Sequence, residues 1–333
     1  LSLLLSLLLC LSRSSYDPTT GVDSLIPKWV SRASAKQRRG RAGRTQSGVC
    51  YNMYSQMRCE AMEEFETPEI LRTPLSELCL CASLLCTAYD LPIAEFLGKA
   101  PDPPHPRATA HAIDLLQKLN ALDSEEKVTD FGKLLSKVSL EPHIAKMVLM
   151  GCVLGCLDPM LVIAAAHQGR DPFMTSVAAN VKNVAAQVHK EQFGKDGLHG
   201  HSSVIVAYQQ FKAHGGTRQY CQQNYLSYET LNRMGDIIKQ ITTQLLRVGI
   251  LRSQKDLTGA MTQAQANRNS ANFDSIEVAL VSGLYPNIAT PVAATKNSYQ
   301  TVHNVRAVVQ NATKGVQSWL VFDKVFRSGM SQL

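Results

Sequence analysis

A basic segment near the start of the chain, AKQRRGRAGRTQSG at residues 35–48, carries five cationic side chains in fourteen positions. Guanidinium groups three residues apart can converge on one triphosphate, because each offers forked donors to phosphate oxygens. Glycines between them let the backbone come close to a ligand, and a neighbouring glutamine can orient a water molecule. The spacing predicts a sensor for a nucleotide γ-phosphate, made of Gln37, Arg38, Gly40, Arg41, Gly43 and Arg44.

Positive charge is concentrated around this segment. Residues 24–59 contain eight Lys or Arg and no Asp or Glu, whereas the whole 333-residue chain has a net charge of +7. The rest of the chain is therefore close to neutral, at about −1. So localised a field indicates a phosphate-bearing partner. A solvated charged face, and a disordered Arg-Gly or nuclear-localisation segment, are the alternatives.

Short strands are predicted on both sides of the basic segment. YDPTTG at residues 16–21 has turn chemistry, KWVS at 28–31 is a short strand, and VCYNMYS at 49–55 alternates with period two. Ser34 is expected to cap a helical turn at the start of the basic segment. This framing predicts a short ordered helix between strands, whereas a disordered tail would be mobile and exposed.

Residues 67–142 have the pattern of helices around a short hairpin with an acidic tip. Thr67 and Pro68 are expected to start a helix that Pro74 resets, and Thr129 to cap a helix after the hairpin. Helix, hairpin and helix in this order are typical of a winged helix, for which nucleic-acid binding and packing are both open. The predicted core positions are Leu75, Leu78, Leu80, Leu84, Ala112, Leu115, Leu116, Leu119, Phe131, Leu134, Leu135 and Val138.

The second half of the chain changes from helical to β patterns. Residues 143–252 are predicted to be helical, with Asp158 as a cap and Pro159 at the first helical position of a buried helix. Residues 253–272 are polar and predicted to be a linker, and residues 273–333 are predicted to form part of a small OB-type barrel. The last helix carries an inward stripe of Met234, Ile237, Ile238, Ile241, Leu245 and Val248.

The cysteines and histidines show neither a disulfide framework nor a metal site. No C-x-x-C pair occurs, and no cysteine lies at zinc-finger spacing from the histidines between residues 189 and 214. We predict no metal, and reduced thiols in a cytoplasmic or nuclear protein. The cysteines expected to be buried are Cys79, Cys81, Cys86, Cys152 and Cys156.

The leucine-rich opening, residues 1–15, predicts no reliable element. Its apolar run is too short to span a bilayer, and neither an initiating Met nor a basic region precedes it as in a signal peptide. We expect the chain to begin partway through a larger protein and to have no membrane partner.

Residues 31–44, SRASAKQRRGRAGR, resemble motif VI of the DEAH/RHA (DExH) RNA helicases of superfamily 2. The motif is Q-R-x-G-R-x-G-R, and all six of its fixed positions match. Other segments resemble the family in the same order, and the resemblance covers about residues 16–333. They are YDPTTGVDSL before motif VI, TPEILRTPLSELCL at the winged helix, LEPHIAKMVLMGCVLGCLDPMLVIAA at the ratchet-like bundle and VALVSGLYPNIA before the OB-fold.

The resemblance implies a multidomain, mostly α-helical chain with a remnant of an α/β RecA-like domain. The implied domains are the end of the second RecA-like domain at 16–66, a winged helix at 67–142, a ratchet-like helical bundle at 143–252, a linker at 253–272 and a partial OB-fold at 273–333.

The resemblance also implies roles for the basic segment. Arg41 and Arg44 would be arginine fingers on the ATP γ-phosphate, and Gln37 would position the attacking water, so these three are the predicted catalytic residues. Arg38 would be structural, or would link the ATP site to RNA. The implied cofactors are ATP and Mg²⁺, and the implied partners are a single RNA strand held by its backbone and protein cofactors on the winged-helix or OB surfaces. The predicted ATP-phosphate contacts are Arg38, Gly40, Arg41, Gly43 and Arg44.

The sequence departs from the family at its ATP-binding motifs, at the leucine-rich run where the family has a strand, and at an OB-fold that ends early. Neither G-x-x-x-x-G-K-[ST] nor D-E-x-H occurs in it, so the family's Mg²⁺ ligands are not present. We expect the C-terminal portion of an ATP-dependent RNA helicase, inactive alone although the parent is an enzyme. The alternative is a non-catalytic RNA- or protein-binding scaffold of winged-helix, ratchet and OB modules.

Overall fold

The computed structural model describes twelve stretches of the chain and divides it into two compact units. Unit 1 is Leu1–Asp114 with Lys324–Leu333, and unit 2 is Leu115–Asp323. Most described residues are helical, which confirms the predicted mostly helical character. The described stretches are 2–6, 10–17, 22–42, 47–89, 91–169, 171–173, 201–252, 260–292, 298–302, 306–308, 319–322 and 325–328.

The strands of unit 1 lie on both sides of the basic segment, as predicted. β1 (Ser2–Ser6) pairs in parallel with β4 (Gly48–Asn52). β2 (Cys10–Asp17) and β3 (Val22–Trp29) form an antiparallel pair, and β11 (Phe326–Ser328) runs parallel to β3. β1 and β2 occupy residues for which the sequence predicted no element, and the expected boundary after residue 15 falls inside β2.

The helices of unit 1 start later than predicted around Pro74. Thr67 does not cap a helix, because only a 3-10 turn, Glu69–Leu71, follows Pro68. Proline disfavours helical backbone at the residue before it, so the turn ends and a new helix begins at Ser76. The helices that begin in unit 1 are α1 (Arg32–Arg39), α2 (Gln56–Glu60), α3 (Ser76–Tyr89), α4 (Ile93–Gly98) and α5 (Pro106–Lys118).

The inward face of α3 differs from the predicted one. Leu75 and Leu80 are buried as expected, but Leu78 and Leu84 are 40% and 38% exposed. Cys81 was predicted to be buried and is exposed. Because α3 is apolar on most sides, periodicity could not identify the face that packs inward. That face carries Cys79, Ala82, Ser83 and Cys86.

The segment after α5 confirms the predicted hairpin and capped helix. Leu122 and Val128 form an antiparallel bridge, and the backbone N–H groups of Glu125 and Lys127 donate to Asp123 Oδ1 at 2.9 Å. The N–H of Gly132 donates to Thr129 Oγ1 at 2.9 Å, which caps α6 (Asp130–Leu135). Leu116, Leu119 and Leu135 are fully buried as predicted.

Unit 2 is built around two neighbouring helices that are apolar on nearly every side, α7 (Pro142–Leu154) and α8 (Leu157–His167). In α11 (Tyr228–Arg247), Met234, Ile241 and Leu245 of the predicted stripe are buried. The other three predicted residues are half-buried, so the stripe is confirmed in part. The cap predicted at Asp158 is wrong, since α8 begins at Leu157. The main helices are α7 (Pro142–Leu154), α8 (Leu157–His167), α9 (His201–Ala213), α10 (Arg218–Gln223) and α11 (Tyr228–Arg247).

Residues 260–272 are structured, which corrects the predicted linker; residues 253–259 lie outside the described part. β5 (Leu251–Arg252) pairs in parallel with β6 (Met261–Thr262), and α12 (Gln263–Ala266) follows with a capping box.

Two asparagines in this segment bind the turn between α7 and α8. Asn269 donates its N–H to the Gly155 carbonyl at 2.6 Å and its Nδ2 to the Leu154 carbonyl at 2.7 Å. Asn267 Oδ1 accepts the N–H of Asp158 at 2.7 Å. These bonds satisfy backbone groups that a helix end leaves open, so the polar residues that resembled a linker are structural.

Residues 273–284 form a helix, α13 (Phe273–Leu284), and not the predicted β structure. It packs along α7, and a Cβ on Gly283 would overlap Met147, whose Cα would be 2.7 Å away. A four-stranded antiparallel sheet follows in the order β10-β7-β8-β9. Its strands are β7 (Ile288–Pro291), β8 (Ser298–Thr301), β9 (Arg306–Val308) and β10 (Leu320–Val321). The OB-type barrel itself remains a prediction.

Most of the cysteines expected to be buried are buried. Burial raises the pKa of the Cys152 thiol to about 12 and that of Cys156 to about 11, so both stay protonated and unreactive at neutral pH. Across the described stretches, no helix is both long and apolar enough to cross a membrane, and no group of three His, Cys, Asp or Glu could hold a metal ion.

The contact between α13 and α7 predicts the effect of one added methyl group. Gly283→Ala should lower the free energy of unfolding by about 1–3 kcal/mol, because the new Cβ meets backbone that cannot move away easily. The measurement is urea unfolding of the whole chain. The control is Gly169→Ala in the same unit, whose Cβ would lie 3.4 Å from the Ala165 carbonyl, an ordinary contact. An equal loss of unfolding free energy in both variants would contradict the close contact between α13 and α7.

Candidate functional site

The first part of the basic segment lies in α1, whose first turn is held by two backbone carbonyls and one serine hydroxyl. The Arg32 N–H donates to the Glu63 carbonyl at 2.9 Å, and the Ala33 N–H donates to the Glu64 carbonyl at 3.0 Å. The Ser34 N–H donates to Ser31 Oγ at 3.1 Å. The first N–H groups of a helix have no partner within it, so these three bonds decide where α1 starts.

The predicted cap at Ser34 is therefore wrong, since Ser31 caps the helix and Ser34 lies inside it. Both serines are suitable cap residues three positions apart, so local sequence did not distinguish them. The carbonyls of Glu63 and Glu64 decide between them, and a backbone carbonyl carries no sequence signal.

The far end of α1 continues as a tightened turn. The Gly40 N–H donates to Lys36 O at 3.0 Å, Arg41 N–H to Arg38 O at 3.0 Å and Ala42 N–H to Arg39 O at 3.1 Å. Cationic side chains in the last turn interact favourably with the helix dipole. The predicted helical spacing is therefore present as far as Ala42.

Ala42 and Gly48 fix the two sides of the loop after α1. Ala42 is only 5% exposed, and any Cβ on Gly48 would overlap its carbonyl. Gly43 and Arg44, two of the predicted site residues, lie in the stretch 43–46 outside the described part.

The glycine at position 40 is not required by the fold. Gly40 has ordinary right-handed helical backbone, and a Cβ there would make only ordinary contacts, at 3.5 Å to the Gln37 carbonyl and 3.7 Å to the Lys36 carbonyl. Gly40 is exposed at the end of the helix.

The predicted donors differ in their surroundings. Gln37 and Arg41 are exposed, whereas Arg38 is half-buried and has contacts within the chain. The ion pair seen at this helix joins Arg32 and Glu64 at 4.0 Å. In the part of the chain that the structure describes, no carboxylate pairs with Arg41, so its guanidinium group can bind an external anion.

Arg39, the variable position of the predicted motif, lies near Tyr54. Partial burial raises the pKa of the Tyr54 hydroxyl, the neighbouring Cys59 and Cys50 raise it further, and the charge of Arg39 lowers it. Arg58, counted with the basic segment, lies over the Trp29 ring at 5.0 Å, a cation–π contact that the sequence analysis missed. These two cations therefore have neighbours within unit 1.

Comparison with known proteins identifies modules after this site. Residues 112–140 match the family model of the helicase-associated domain (HA2), winged-helix, and residues 141–207 match that of the helicase-associated domain (HA2), ratchet-like. The two matches agree with the hairpin and capped helix after α5 and with the start of the helical bundle.

Relatives that align with most of the chain are named as helicases. The chain is 36% identical over 284 residues to the ATP-dependent DNA/RNA helicase DHX36 of Bos taurus. This alignment covers 84% of the present chain and 27% of the relative. The chain is 38% identical over 278 residues to the DExH-box ATP-dependent RNA helicase DExH1 of Arabidopsis thaliana, covering 83% and 27%. It is 30% identical over 336 residues to the DExH-box ATP-dependent RNA helicase DExH2 of the same plant, an alignment that covers 95% of this chain and 20% of the relative.

These matches define the class of the protein as helicases that carry an HA2 region. The chain belongs to the DExH-box helicase family and matches its C-terminal portion. It spans about a quarter of the length of the first curated relatives.

The cap of α1 can be tested with a matched pair of serine variants. Ser31→Ala should destabilise α1 by about 1 kcal/mol, which raises the opened population and its rate of tryptic cleavage about fivefold. Cleavage after Lys36, Arg38 and Arg39 would be followed by mass spectrometry. Ser34→Ala should leave the rate nearly unchanged, since its side chain is not the cap. Faster cleavage in Ser34→Ala than in Ser31→Ala would contradict the assignment.

Proposed function

We propose that the chain acts as the C-terminal portion of an ATP-dependent RNA helicase, in which the end of α1 and the loop after it contact the ATP γ-phosphate. The observation that carries this proposal is the exposure of Gln37 and Arg41 at the end of an ordered helix. The helix is held at its start by Glu63 and Glu64 and after its end by Ala42. Relatives named ATP-dependent helicases support it.

In this proposal, the residues of motif VI have distinct roles. Arg41 and Arg44 donate forked hydrogen bonds to the γ-phosphate oxygens and stabilise the charge that develops there. Gln37 orients the attacking water. Gly40 and Gly43 let the backbone approach the phosphates, in agreement with the exposure of Gly40. Arg38, which has contacts within the chain, positions the others.

The donors present suit a phosphate group, and the remaining ATP and Mg²⁺ ligands are assigned to another segment. The exposed guanidinium group of Arg41, which pairs with no carboxylate among the described residues, fits an anion. The sequence contains no Walker A lysine and no D-E-x-H, so we assign the β-phosphate and Mg²⁺ contacts to a RecA-like domain beyond these 333 residues. ATP, when bound, supplies a phosphoanhydride whose hydrolysis drives movement of the RecA-like pair.

The proposed substrate is a single RNA strand held mainly through its phosphate backbone. Residues 16–66 would be the end of the second RecA-like domain, followed by the winged helix, the ratchet-like bundle and a partial OB-fold after α13. Backbone contacts make binding salt-dependent and weakly sequence-specific. Buried free thiols favour a reducing compartment, the cytoplasm or nucleus.

A non-catalytic scaffold is the second candidate function, and the surface of α3 favours it. Leu78, Leu85 and Tyr89 are exposed on this helix, Tyr89 by 73%. Exposed apolar side chains grouped on one helix are typical of protein contacts. In a scaffold, the modules bind RNA or a protein cofactor, and motif VI contributes no catalysis.

The catalytic proposal can be tested in a chimera. This chain would replace the matching segment of the bovine helicase DHX36, and RNA-stimulated ATP hydrolysis would be measured. Arg41→Ala should lower kcat by about 10³-fold or more, because an arginine finger contributes that much to phosphoryl transfer. Arg41→Lys should recover little, since lysine lacks the forked donors.

The control is Arg107→Ala, which removes an exposed cation outside the motif and should leave kcat unchanged. Hydrolysis by Arg41→Ala at the unsubstituted rate would contradict the finger role. A folded chimera that binds RNA without hydrolysing ATP would favour the scaffold.

A further inference from the structure

The connection between α9 and α10 stacks two aromatic rings at the surface of unit 2. The rings of His214 and Tyr220 are 4.5 Å apart between centroids and inclined by only 17°. Gly215 and Gly216 have φ of +73° and +65°, a left-handed backbone that glycine adopts without strain. The Gly216 N–H donates to the Phe211 carbonyl at 2.9 Å. This tight reversal brings the first turn of α10 back over the end of α9.

One residue, Gln210, holds both rings. His214 Nδ1 is 2.8 Å from the Gln210 carbonyl, and the Tyr220 hydroxyl donates to Gln210 Oε1 at 2.9 Å. Because a carbonyl only accepts hydrogen bonds, Nδ1 carries the proton, and Nε2 of the neutral ring is an acceptor. The ring pair is therefore held in one orientation before any ligand arrives, which lowers the entropic cost of binding.

The two rings are not equally accessible. His214 is exposed, whereas Tyr220 is half-buried, and burial raises the pKa of the Tyr220 hydroxyl. The buried partner supports the exposed ring, so the accessible aromatic surface of the pair lies on His214.

The chain around this aromatic pair is basic in sequence. Residues 201–228 contain no Asp or Glu, while Lys212 and Arg218 lie two residues before His214 and two before Tyr220. The Arg218 guanidinium lies 4.8 Å from the centroid of the Tyr228 ring, and its Nη2 is 3.2 Å from Glu229 Oε1. Stacking and the ion pair orient the Arg218 side chain at the surface.

We propose that His214 and Tyr220 form a stacking platform for an unpaired base of a single-stranded nucleic acid. Bases stack on exposed aromatic faces with little sequence preference. The platform rests on the RNA-binding part of the proposed function and is independent of the ATP contacts of α1.

The test is the affinity of the 333-residue chain for a short unstructured RNA, measured by fluorescence anisotropy. His214→Ala should weaken binding about tenfold, the size of one base–aromatic stack. His214→Phe keeps a ring face and should bind within about twofold of the unsubstituted chain. The matched control is Lys239→Ala, which removes an exposed α11 cation paired with Asp236 at 3.5 Å, and it should have little effect.

A strand of equal length without bases separates stacking from phosphate contacts. The unsubstituted chain and His214→Ala should bind it equally, because only the base uses the ring. If His214→Ala fails to fold by circular dichroism, crosslinking of 4-thiouridine RNA to the unsubstituted chain decides instead. A crosslink within residues 210–222 is expected, and its absence overturns the platform.

The outcomes separate this platform from the proposed function. If His214→Ala binds RNA as tightly as the unsubstituted chain, the platform is overturned while RNA remains the partner. The ring pair would then serve a protein contact or folding. An unsubstituted chain that binds no RNA overturns the platform and the RNA partner together.

Discussion

Unit 2 depends on enclosing α7, a helix that is apolar on nearly every side. Water must be excluded from most of its surface, so α8 and α13 pack along it. Glycines allow the closest approaches: a Cβ on Gly151 would lie 2.6 Å from Met160 Cγ, and one on Gly283 would overlap Met147. An enclosed helix end also needs partners for its open carbonyl groups, and Asn269 supplies them at Leu154 and Gly155.

The basic helix α1 is not held by burial, because none of its own residues is fully buried. Its position comes from hydrogen bonds at the first turn and from the residues just beyond its end, where Ala42 is buried against Gly48. Anchoring the ends leaves the side chains between them exposed. A helix held in this way can present Gln37 and Arg41 in a defined order while their donors remain available to a ligand.

The same arrangement recurs at the surface of unit 2. Gln210 fixes the rings of His214 and Tyr220 through hydrogen bonds and leaves one ring exposed. In both places, hydrogen bonds fix the segment that carries an exposed side chain. At the ring pair, where the bonds reach the side chains themselves, little conformational freedom remains to be lost on binding.

What the sequence determined by itself was local. The first part of the Q-R-x-G-R-x-G-R motif, the Thr129 cap and the inward stripe of α11 each depend on spacing within one helix, and the structure has a helix at each of them. The family was also recognisable from that motif and the segments around it. Spacing along one helix is preserved in folding, so it can be interpreted before the tertiary contacts are known.

Only the tertiary structure decided the features that depend on distant partners. The choice of Ser31 over Ser34 rests on Glu63 and Glu64, some thirty residues further along the chain. The structural role of Asn267 rests on Asp158, 109 residues away. The inward face of α3 was ambiguous because apolar side chains occupy most of its circumference. In each case, the deciding contact joins residues far apart in sequence, and composition and periodicity carry no information about such a partner.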